Sequence, residues 1–510
     1  MLSRVNSACV IGMEACHIEV EVDVTGGLPG FLVVGLPDTA IRESRDRIRS
    51  AIRNSGFGFP DGKITVNLSP ADIRKEGAGF DLPIAIGLLA ATGVLKQEEV
   101  QDMVFCGELS LNGKLKFFRG ALPIAISLKE KFKKFMMPVP NVAEAVNVEG
   151  ISVYGAPSLI CVVNHIKNTK PIAAGCAKKL NAGKERAHYI FDMNDVKGQE
   201  HVKRGMEVAA SGGHNILLLG PPGSGKSMLA KRFPTILPEL TDAEALETTK
   251  IYSIAGQLKE KGIVSSRPVR SPHHTVSYAA MAGGGSWPLP GEISLAHNGV
   301  LFLDEFPEFR RDVIETLRQP LESGEITITR VQRSLRYSAR FILIAAMNPC
   351  PCGYFTDPHK MCRCSPNQIQ RYLSKISGPL LDRIDIHLEV PRLEYKQLSE
   401  KRSGELSAVI KERVEKCRAV QNKRFGNGPR LLAANAQMSS RETEVYCTLS
   451  SDAKELLKTA ILELGISARA YDKILKISRT IADMEGCGTI ESHHLSEAVG
   501  YRCLDRNLWT

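Results

Sequence analysis

The sequence predicts an α/β protein built from a mixed α/β domain, a parallel α/β core and a helical C-terminal domain. Residues 1–165 combine short period-two runs with helical segments, which is typical of half-buried strands that pack against helices. Apolar strands then alternate with helices over residues 191–395, the pattern of a parallel sheet. Residues 396–510 show helical periodicity alone, and the apolar positions that we expect to face the core are Leu456, Ile461, Leu464, Ile474, Ile477 and Ile481. Between the first two domains, residues 166–190 are rich in Lys and Arg and predict a basic linker.

Composition favours a folded protein of the cytoplasm. A length of 510 residues suggests about three domains, and 43% apolar with 24% charged residues excludes a disordered or collagen-like chain. The 13 cysteines are an odd number in a long chain, which favours reduced thiols over a disulfide framework. We expect no membrane partner, because the longest uncharged apolar run, Leu82 to Leu95, is too short to span a membrane. Acidic residues near the N-terminus interrupt the apolar stretch that a signal peptide requires. A net charge of +10 is too small to identify a partner.

Local patterns predict the elements of the first domain. Alternation of apolar and polar residues indicates strands, helical spacing indicates helices, and an Asn-Gly pair is a favoured two-residue hairpin turn. The expected elements are strands at residues 17–24, 31–36 and 63–68, helices at residues 40–55 and from Leu82, and a hairpin over residues 105–115 that turns at Asn112-Gly113.

The strongest chemical signal is a glycine-rich loop between an apolar strand, residues 216–219, and a helix. Glycines allow successive backbone N–H groups to converge on phosphate oxygens, and the helix N-terminus adds its dipole. The lysine of such a loop contacts the β- and γ-phosphates of a nucleotide, and the hydroxyl that follows is a ligand for Mg²⁺. The predicted ATP-binding residues are Gly220, Pro221, Pro222, Gly223, Ser224, Gly225, Lys226 and Ser227.

Two further strands end in polar side chains. Residues 300–303 form a buried strand that runs into Asp304 and Glu305, at the position where α/β sheets place ligands. We expect Asp304 to hold Mg²⁺ and Glu305 to orient and activate the attacking water. The strand over residues 341–349 carries Asn348 at its tip, where an amide can position that water near the γ-phosphate.

Two arginines are candidates for contacts with the γ-phosphate. Arg383 lies in a predicted turn before a strand and is a candidate arginine finger, which would act on the site of a neighbouring subunit. A surface ion pair with Asp382 or Asp385 is the alternative for this residue. Arg469 stands near the start of a helix in the C-terminal domain and is a candidate second sensor of the γ-phosphate.

Five elements follow one another along the chain: the glycine-rich loop, the acidic pair, Asn348, Arg383 and Arg469. In this order they resemble the AAA+ fold, more closely its magnesium-chelatase-like branch, and most closely the YifB/ComM family. The stretches that carry the resemblance are residues 195–233, 270–324 and 347–354, with SGPLLDRIDIHLEV and SARAYDKILKISRTIADMEG further on. The resemblance implies a P-loop AAA+ core with a C-terminal helical lid. It also implies a homo-hexameric ATPase that acts on DNA, since members of this family are described as helicases that promote branch migration in recombination and natural transformation.

Two other functions stay open at this stage. A chelatase-type ATPase motor would drive insertion of a metal into a porphyrin together with partner subunits, but this chain contains no von Willebrand-type domain for the handover. A regulatory scaffold would bind nucleotide without turnover, and the intact Lys226, Asp304, Glu305 and Asn348 argue against it. We expect no small-molecule substrate other than ATP.

The first domain resembles the proteolytic domain of Lon in residues 75–93 and 107–125. Lon-type peptidases use a Ser nucleophile that is activated by a Lys. Gly79 stands where the serine should be, and Leu122 stands approximately where the lysine should be. The resemblance therefore implies a Lon-like fold without the peptidase, and it separates this chain from chelatase ATPase subunits, which lack such a domain.

A run of arginines lies between the acidic pair and Asn348. Residues 330–340 hold four Arg and no acid, and the alternation before them predicts a hairpin. In the clade that the chain resembles, this hairpin lines the pore of the ring, so Arg330, Arg333 and Arg336 are candidates for gripping DNA phosphates. A solvated hairpin face is the alternative, and the basic linker is a second candidate for DNA contact.

The adjacent His273 and His274 suggest metal ligands at first sight. Neighbours in sequence seldom point the same way, so we interpret residues 270–287 instead as the helix-2 insert of this branch, which is another pore element.

Four cysteines, Cys350, Cys352, Cys362 and Cys364, fall within 15 residues. Four thiolates in two close pairs meet the tetrahedral requirement of zinc, and so short a loop could barely order itself without such a clip. We expect a structural Zn²⁺ without an open catalytic position; free thiols are the alternative. His359 could replace one sulfur.

Overall fold

The computed structural model describes most of the chain. For residues 330, 333 and 464 it describes the backbone alone. The residues that it describes are 1–176, 190–258, 262–285, 288–330, 333–355, 357, 360–393, 404–426, 434–464 and 467–502.

Seven strands form the sheet of the N-terminal domain, in the order β3-β4-β2-β1-β5-β8-β9. The β1–β2 hairpin is antiparallel, β2 and β4 are also antiparallel, and the other neighbours run parallel. Two short strands, β6 and β7, form the predicted hairpin around Gly113, whose φ of 76° suits the turn. The strands are β1 Leu2–Ile11, β2 Glu14–Thr25, β3 Gly30–Val34, β4 Lys63–Ser69, β5 Met103–Phe105, β6 Glu108–Leu109, β7 Leu115–Lys116, β8 Lys134–Pro138 and β9 Ser152–Ala156.

The predicted helix over residues 40–55 is wrong in one respect, because the chain forms two helices, Thr39–Arg42 and Ser44–Asn54. The buried Ser44 hydroxyl donates a hydrogen bond of 2.7 Å to the carbonyl of Ile41, and this local bond competes with a continuous helix. The other helices of this domain are Asp81–Ala91, Gln97–Val100, Ala121–Leu128, Val139–Ala145 and Leu159–Ile166.

The expected linker still touches the N-terminal domain over its first residues. The backbone N–H of Gly175 donates to the carbonyl of Val153 on the edge strand β9 at 2.8 Å. Residues 177–189, which contain most of the predicted basic charge, lie outside the described residues.

The second sheet has five parallel strands in the order β11-β14-β17-β10-β18. All residues of β10 and β14 are buried, because helices cover both faces of a parallel sheet. The carboxyl ends of these strands meet at one edge of the sheet, as predicted. The strands are β10 Ile216–Leu219, β11 Val269–Arg270, β14 Val300–Leu303, β17 Ile342–Met347 and β18 Ile386–Glu389.

Two small hairpins project from this core. The hairpin of β12 (Gly283–Gly284) and β13 (Leu289–Pro290) follows β11, and the hairpin of β15 (Glu325–Arg330) and β16 (Arg333–Ser338) lies between β14 and β17. The core helices are Glu200–Gly212, Lys226–Arg232, Asp242–Ala255, Tyr278–Ala282, Glu292–Leu295, Arg311–Glu315, Arg318–Ser323, Pro366–Leu373 and Gly378–Leu381.

Helices make up the C-terminal part, as the periodicity indicates. Ile474, Ile477 and Ile481 are fully buried, as expected. Leu456 is 37% exposed, however, and its neighbour Leu457 fills the core in its place at 4%. The helices are Ser407–Phe425, Ser440–Tyr446, Ser451–Leu464, Ala468–Met484 and Ser492–Gly500.

None of the helices in the described ranges combines the length and the apolar character that a bilayer crossing requires. The described cysteines are all free of disulfides.

Candidate functional site

A cavity of about 350 Å³ opens at the carboxyl edge of the parallel sheet. Three strands contribute to it, because the loop after β10, the acidic pair after β14 and the amide after β17 all meet there. The lining residues are Pro222, Gly223, Gly225, Lys226, Ser227, Met228, Asp304, Glu305 and Asn348.

Lys226 lines this cavity and joins two of its sides. Its Nζ donates to the carbonyls of Gly220 and Pro221 at 2.7 and 2.9 Å and to Oδ1 of Asn348 at 3.1 Å. Burial lowers the pKa of the ammonium to about 8, against the opposing attraction of Asp304. The predicted lysine and the predicted amide are therefore in direct contact.

Ser227 and Asp304 form the second contact across the site. The Ser227 hydroxyl donates to Oδ2 of Asp304 at 2.5 Å, and the backbone N–H of Glu305 donates to the other carboxylate oxygen at 3.0 Å. A hydroxyl and a carboxylate side by side are the hard oxygen donors that Mg²⁺ prefers. The donor set fits the predicted ion.

Glu305 has a left-handed backbone conformation, with φ 53°, and its side chain is 59% exposed. His274 Nδ1 lies 3.2 Å from Oε2 of Glu305. His273 and His274 do not point apart as predicted, since the centroids of their rings are 4.1 Å apart. Sequence reasoning missed the contact with Glu305, because 31 residues of chain separate the two groups and no motif joins them.

Gln199 is a second residue that the sequence analysis missed. Its Nε2 donates to the carbonyl of Ser224 at 2.7 Å and to that of Pro391 at 3.2 Å, so it fastens the glycine-rich loop to the segment after β18. Its φ of 57° is unusual for a residue other than glycine. A Gly-Gln pair just before a helix was the only signal in the sequence.

The four predicted cysteines converge. Cys350 Sγ lies 3.4 Å from Cys352 Sγ and 3.7 Å from Cys362 Sγ, and Cys352 and Cys362 are 3.5 Å apart. All four sulfurs, including that of Cys364, lie within 4.8 Å of one another. A tetrahedral zinc site with Zn–S bonds of about 2.3 Å has sulfurs about 3.8 Å apart, so the thiols fit zinc. His359 lies outside the described residues.

The cysteine loop packs directly on the nucleotide-binding loop. Gly353 has φ 84°, and a Cβ there would lie 2.5 Å from Cδ of Pro222. Only glycine allows this close approach. The conformation of the cysteine loop therefore constrains that of the phosphate-binding loop.

A second group of metal-binding side-chain types does not suit a metal. His493 and His494 each place Nε2 3.0 Å from one oxygen of Glu485. The backbone N–H of Glu491 donates to Nδ1 of His494, so the ring proton of the neutral imidazole is on Nε2. That nitrogen therefore lacks the lone pair that a metal requires.

Neither Arg383 nor Arg469 lines the cavity within this subunit. Arg383 is paired with Glu322, so both expected ion-pair partners, Asp382 and Asp385, are wrong. Arg469 Nη1 lies 3.4 Å from Oδ2 of Asp382. The Arg383 guanidinium, with a smaller contribution from Arg469, lowers the pKa of Glu322. Since Asp382, the partner of Arg469, adjoins Arg383 in the chain, the two arginines lie near each other.

The predicted arginine hairpin is present as β15 and β16, with Arg330 opposite Arg333 at its end. The side chains of these two residues lie outside the described part of the chain. Arg336 is exposed, and no ion pair involves it within the described ranges. Tyr337 anchors the other face, because its buried hydroxyl donates to the carbonyl of Pro288 at 2.6 Å.

In the N-terminal domain, Leu122 is fully buried in the helix Ala121–Leu128. Gly79 lies in a single 3₁₀ turn, Ala78–Phe80, and its carbonyl accepts a hydrogen bond of 2.9 Å from Gly107. Both positions serve packing and backbone pairing of the domain.

A parallel sheet with a glycine-rich loop, an acidic pair and an amide at one edge defines a P-loop nucleoside-triphosphate-binding protein. Three family descriptions match consecutive parts of the chain. "Subunit ChlI of Mg-chelatase" matches residues 20–141, "Magnesium chelatase, subunit ChlI" matches residues 192–398, and "Magnesium chelatase, subunit ChlI C-terminal" matches residues 404–502.

Individual relatives, two of which match nearly the whole chain, narrow this class of protein to one family. Competence protein ComM of Haemophilus influenzae is 44% identical over 510 residues, 99% of this chain and 98% of that protein. YifB of Escherichia coli is 44% identical with the same coverage. The probable DNA helicase MCM9 of Arabidopsis thaliana is 26% identical over 195 residues, 38% of this chain and 25% of that protein. The chain belongs to the YifB/ComM family of magnesium-chelatase-like AAA+ ATPases.

The pKa of Lys226 leads to a prediction for the pH dependence of ATP binding. With a pKa of about 8, the Lys226 side chain is mostly protonated and charged at pH 7 and mostly neutral at pH 9. Because the phosphates bind the charged form, the Kd for ATP should rise about tenfold between pH 7 and pH 9. Calorimetry should also show proton uptake on binding at pH 9. A wild-type Kd that stays as constant as that of Lys226→Arg would contradict the prediction.

Proposed function

We propose that the protein hydrolyses ATP in a ring of six copies and uses the energy to move on single-stranded or branched DNA, as a cytoplasmic helicase that promotes branch migration in recombination or natural transformation. The observation that carries the ATPase half is the convergence of Lys226, Ser227, Asp304 and Asn348 on one cavity. The DNA half draws support from the exposed Arg336 on the hairpin of β15 and β16 and from relatives named a competence protein and a probable DNA helicase.

Each residue of the cavity receives one role. Lys226 and the N–H groups of the glycine-rich loop bind the β- and γ-phosphates. Ser227 and Asp304 hold Mg²⁺, which neutralises phosphate charge when it is bound. Glu305 accepts a proton from the attacking water, and Asn348 orients that water through its amide.

Arg383 and Arg469 act on the site of the neighbouring subunit. They lie near each other and outside the cavity of their own chain, which favours action across a subunit boundary. Arg383 would have to leave Glu322, and the γ-phosphate offers it more negative charge than one carboxylate does.

The cysteine cluster binds a structural zinc ion. Its sulfur separations suit tetrahedral coordination, and the chain supplies four ligands. The ion would fix the loop after Asn348 and, through Gly353 and Pro222, would support the phosphate-binding loop.

The chelatase alternative rests on the family descriptions, which are named for a magnesium-chelatase subunit. Stimulation of ATP hydrolysis by DNA separates the two functions, because a chelatase motor has no reason to respond to DNA. Turnover itself separates both motors from a regulatory scaffold.

Two variants separate phosphate binding from water activation. Lys226→Ala should abolish nucleotide binding, because the cation that contacts the phosphates is lost. Glu305→Gln should bind ATP with unchanged affinity and fail to hydrolyse it, since an amide cannot accept the proton. A nucleotide-binding assay and a steady-state ATPase assay check both, and normal turnover by Glu305→Gln would refute the role of Glu305.

Subunit mixing tests the arginines. Arg383→Ala should bind ATP without hydrolysing it, by loss of a contribution of about 10³-fold or more to the rate. Mixed with Lys226→Ala, it should regain part of the ATPase activity, because some interfaces then combine an intact loop with an intact arginine. Each variant alone is the control, and a mixed assembly without any rescue would argue against action in trans.

Metal analysis tests the cysteine cluster. The protein purified without chelators should contain about one zinc per chain. Cys350→Ser and Cys362→Ser should lose the zinc and unfold at lower temperature, whereas Cys161→Ser, a half-buried cysteine of the N-terminal domain, should keep it. Wild-type protein without zinc, or full stability of both cluster variants, would refute the site.

DNA binding is tested by removing the hairpin charges. Replacing Arg330, Arg333 and Arg336 with Ala should weaken binding about equally for all sequences and reduce the salt slope by roughly one unit per lost phosphate contact. A control that replaces three exposed arginines of the N-terminal domain removes the same total charge; these are Arg42, Arg45 and Arg53. If both triple variants bind forked DNA with the parent's salt slope, the hairpin is a solvated face and the basic linker becomes the better candidate.

A further inference from the structure

A second cavity of about 350 Å³ has a basic lining. Three cations line it, Arg311, Arg371 and Lys375, against one acidic residue, Glu308. Lys375 Nζ lies 3.2 Å from Oε2 of Glu308, whereas no salt bridge of Arg311 or Arg371 is found among the described residues. Both arginines are exposed, so this basic cavity presents two guanidinium groups to an anion from outside the subunit.

The basic cavity adjoins the nucleotide cavity. Glu305 lines the nucleotide cavity, and Pro307 lines the basic cavity. The two residues are two positions apart in the chain, so their Cα atoms are separated by at most about 7 Å. A subunit that inserts a side chain into the nucleotide cavity of its neighbour therefore brings the surrounding surface against the basic cavity of that neighbour.

Arg383 has a carboxylate beside it on this inserted surface. Its guanidinium is paired with Glu322, and its Nη1 also donates to the carbonyl of Pro379 at 2.5 Å. The Arg383 side chain is 13% exposed and that of Glu322 is 67% exposed, so Glu322 is the outer member of the pair. When Arg383 reaches the γ-phosphate of a neighbouring subunit, Glu322 arrives close to the same site.

A carboxylate in that place requires a new partner. Beside Arg383 it would offset the positive charge that acts on the γ-phosphate, and the phosphates would repel it. The basic cavity offers guanidinium groups, each of which can donate two parallel hydrogen bonds to a carboxylate. In a ring, copies meet head to tail through two different surfaces, so the basic cavity of one subunit and the Arg383 surface of the next belong to the same boundary.

We propose that the basic cavity binds the Glu322 carboxylate of the neighbouring subunit, through Arg371 and Arg311, when Arg383 enters the nucleotide cavity. This inference rests on the proposed ring and on the proposed action of Arg383 in trans, and it names a surface through which the subunits meet. Glu322 exchanges one guanidinium for another, and Arg383 exchanges a carboxylate for a phosphate. The partner of the basic cavity is a second copy of this chain.

Mixing of two charge-reversal variants tests this pairing. Glu322→Lys alone and Arg371→Glu alone each place like charges at every boundary, so each should raise the protein concentration at half assembly with ATP by about tenfold. In an equal mixture the two variants can alternate around the ring. Each boundary then holds either the native pair or its reversed form, so the mixture should assemble at nearly the parent's concentration. Analytical ultracentrifugation of the full chain measures this concentration.

Lys416 provides a matched control. It is an exposed lysine of the helix Ser407–Phe425, and it lines neither cavity. Lys416→Glu reverses the same charge as Arg371→Glu does, so it should assemble like the parent and should not rescue Glu322→Lys in a mixture.

Thermal unfolding of each variant should match that of the parent, because the reversed side chains are exposed. Where a reversal lowers the unfolding temperature, the neutral variants Glu322→Gln and Arg371→Gln replace it. The double neutral variant should then assemble no worse than either single one, because the second change removes a group that has already lost its partner.

Three results would overturn the inference. The first is a single charge-reversal variant that assembles like the parent. The second is a mixture of Glu322→Lys and Arg371→Glu that assembles as poorly as each variant alone, since this excludes a pair between subunits. The third is a loss of affinity for forked DNA in Arg371→Glu with normal assembly, which would assign the basic cavity to nucleic-acid phosphates.

Failure of the proposed function has a different signature. If the parent does not assemble with ATP, or if Arg383→Ala hydrolyses ATP normally, the proposed ring or the proposed role of Arg383 fails. If the parent assembles and Arg383→Ala is inactive, but the charge-reversal variants behave like the parent, only the pairing of Glu322 with the basic cavity fails.

Discussion

The parallel register of three buried strands is the constraint on which the nucleotide site depends. Leu219 at the end of β10 pairs with Met347 of β17, and Leu303 at the end of β14 pairs with Ala345 of the same strand. Each strand is followed directly by its polar residues, so this register brings the loop lysine, the acidic pair and the amide to one edge. A shift of one residue in β17 would turn Asn348 to the other face of the sheet and break its contact with the lysine.

A buried ion pair performs a similar task between the sheet and the C-terminal helices. Asp385, just before β18, is paired with Lys473 of the helix Ala468–Met484, and His214 Nδ1 lies 3.6 Å from its other oxygen. Burial opposes the ionised carboxylate, but the Lys473 ammonium and the His214 imidazole keep the pKa of Asp385 well below its usual value. Arg383 precedes Asp385 by two residues and Arg469 precedes Lys473 by one helical turn, so this pair sets the distance between the two arginines.

The loops around the cavity contact one another, so a change in the conformation of one loop affects the others. Gln199 ties the phosphate-binding loop to the chain after β18, and Gly353 lets the cysteine loop lie against Pro222. A metal in the cysteine cluster would stiffen the second of these supports without touching nucleotide. Residues that do not line the cavity, such as Gln199 and Gly353, therefore help to determine its shape.

The sequence by itself determined the strands that carry the site and the residues at their tips, because hydrophobic periodicity and a glycine-rich loop are local signals. It also determined the cysteine cluster, since four thiols within 15 residues of chain are necessarily close to one another in space. The tertiary structure alone decided which distant groups meet: His274 with Glu305, Arg383 with Glu322, and Gln199 with the phosphate-binding loop. These pairs join residues from 25 to 61 positions apart, and their contacts come from chain crossings and packing, for which no periodicity within a single segment provides a signal.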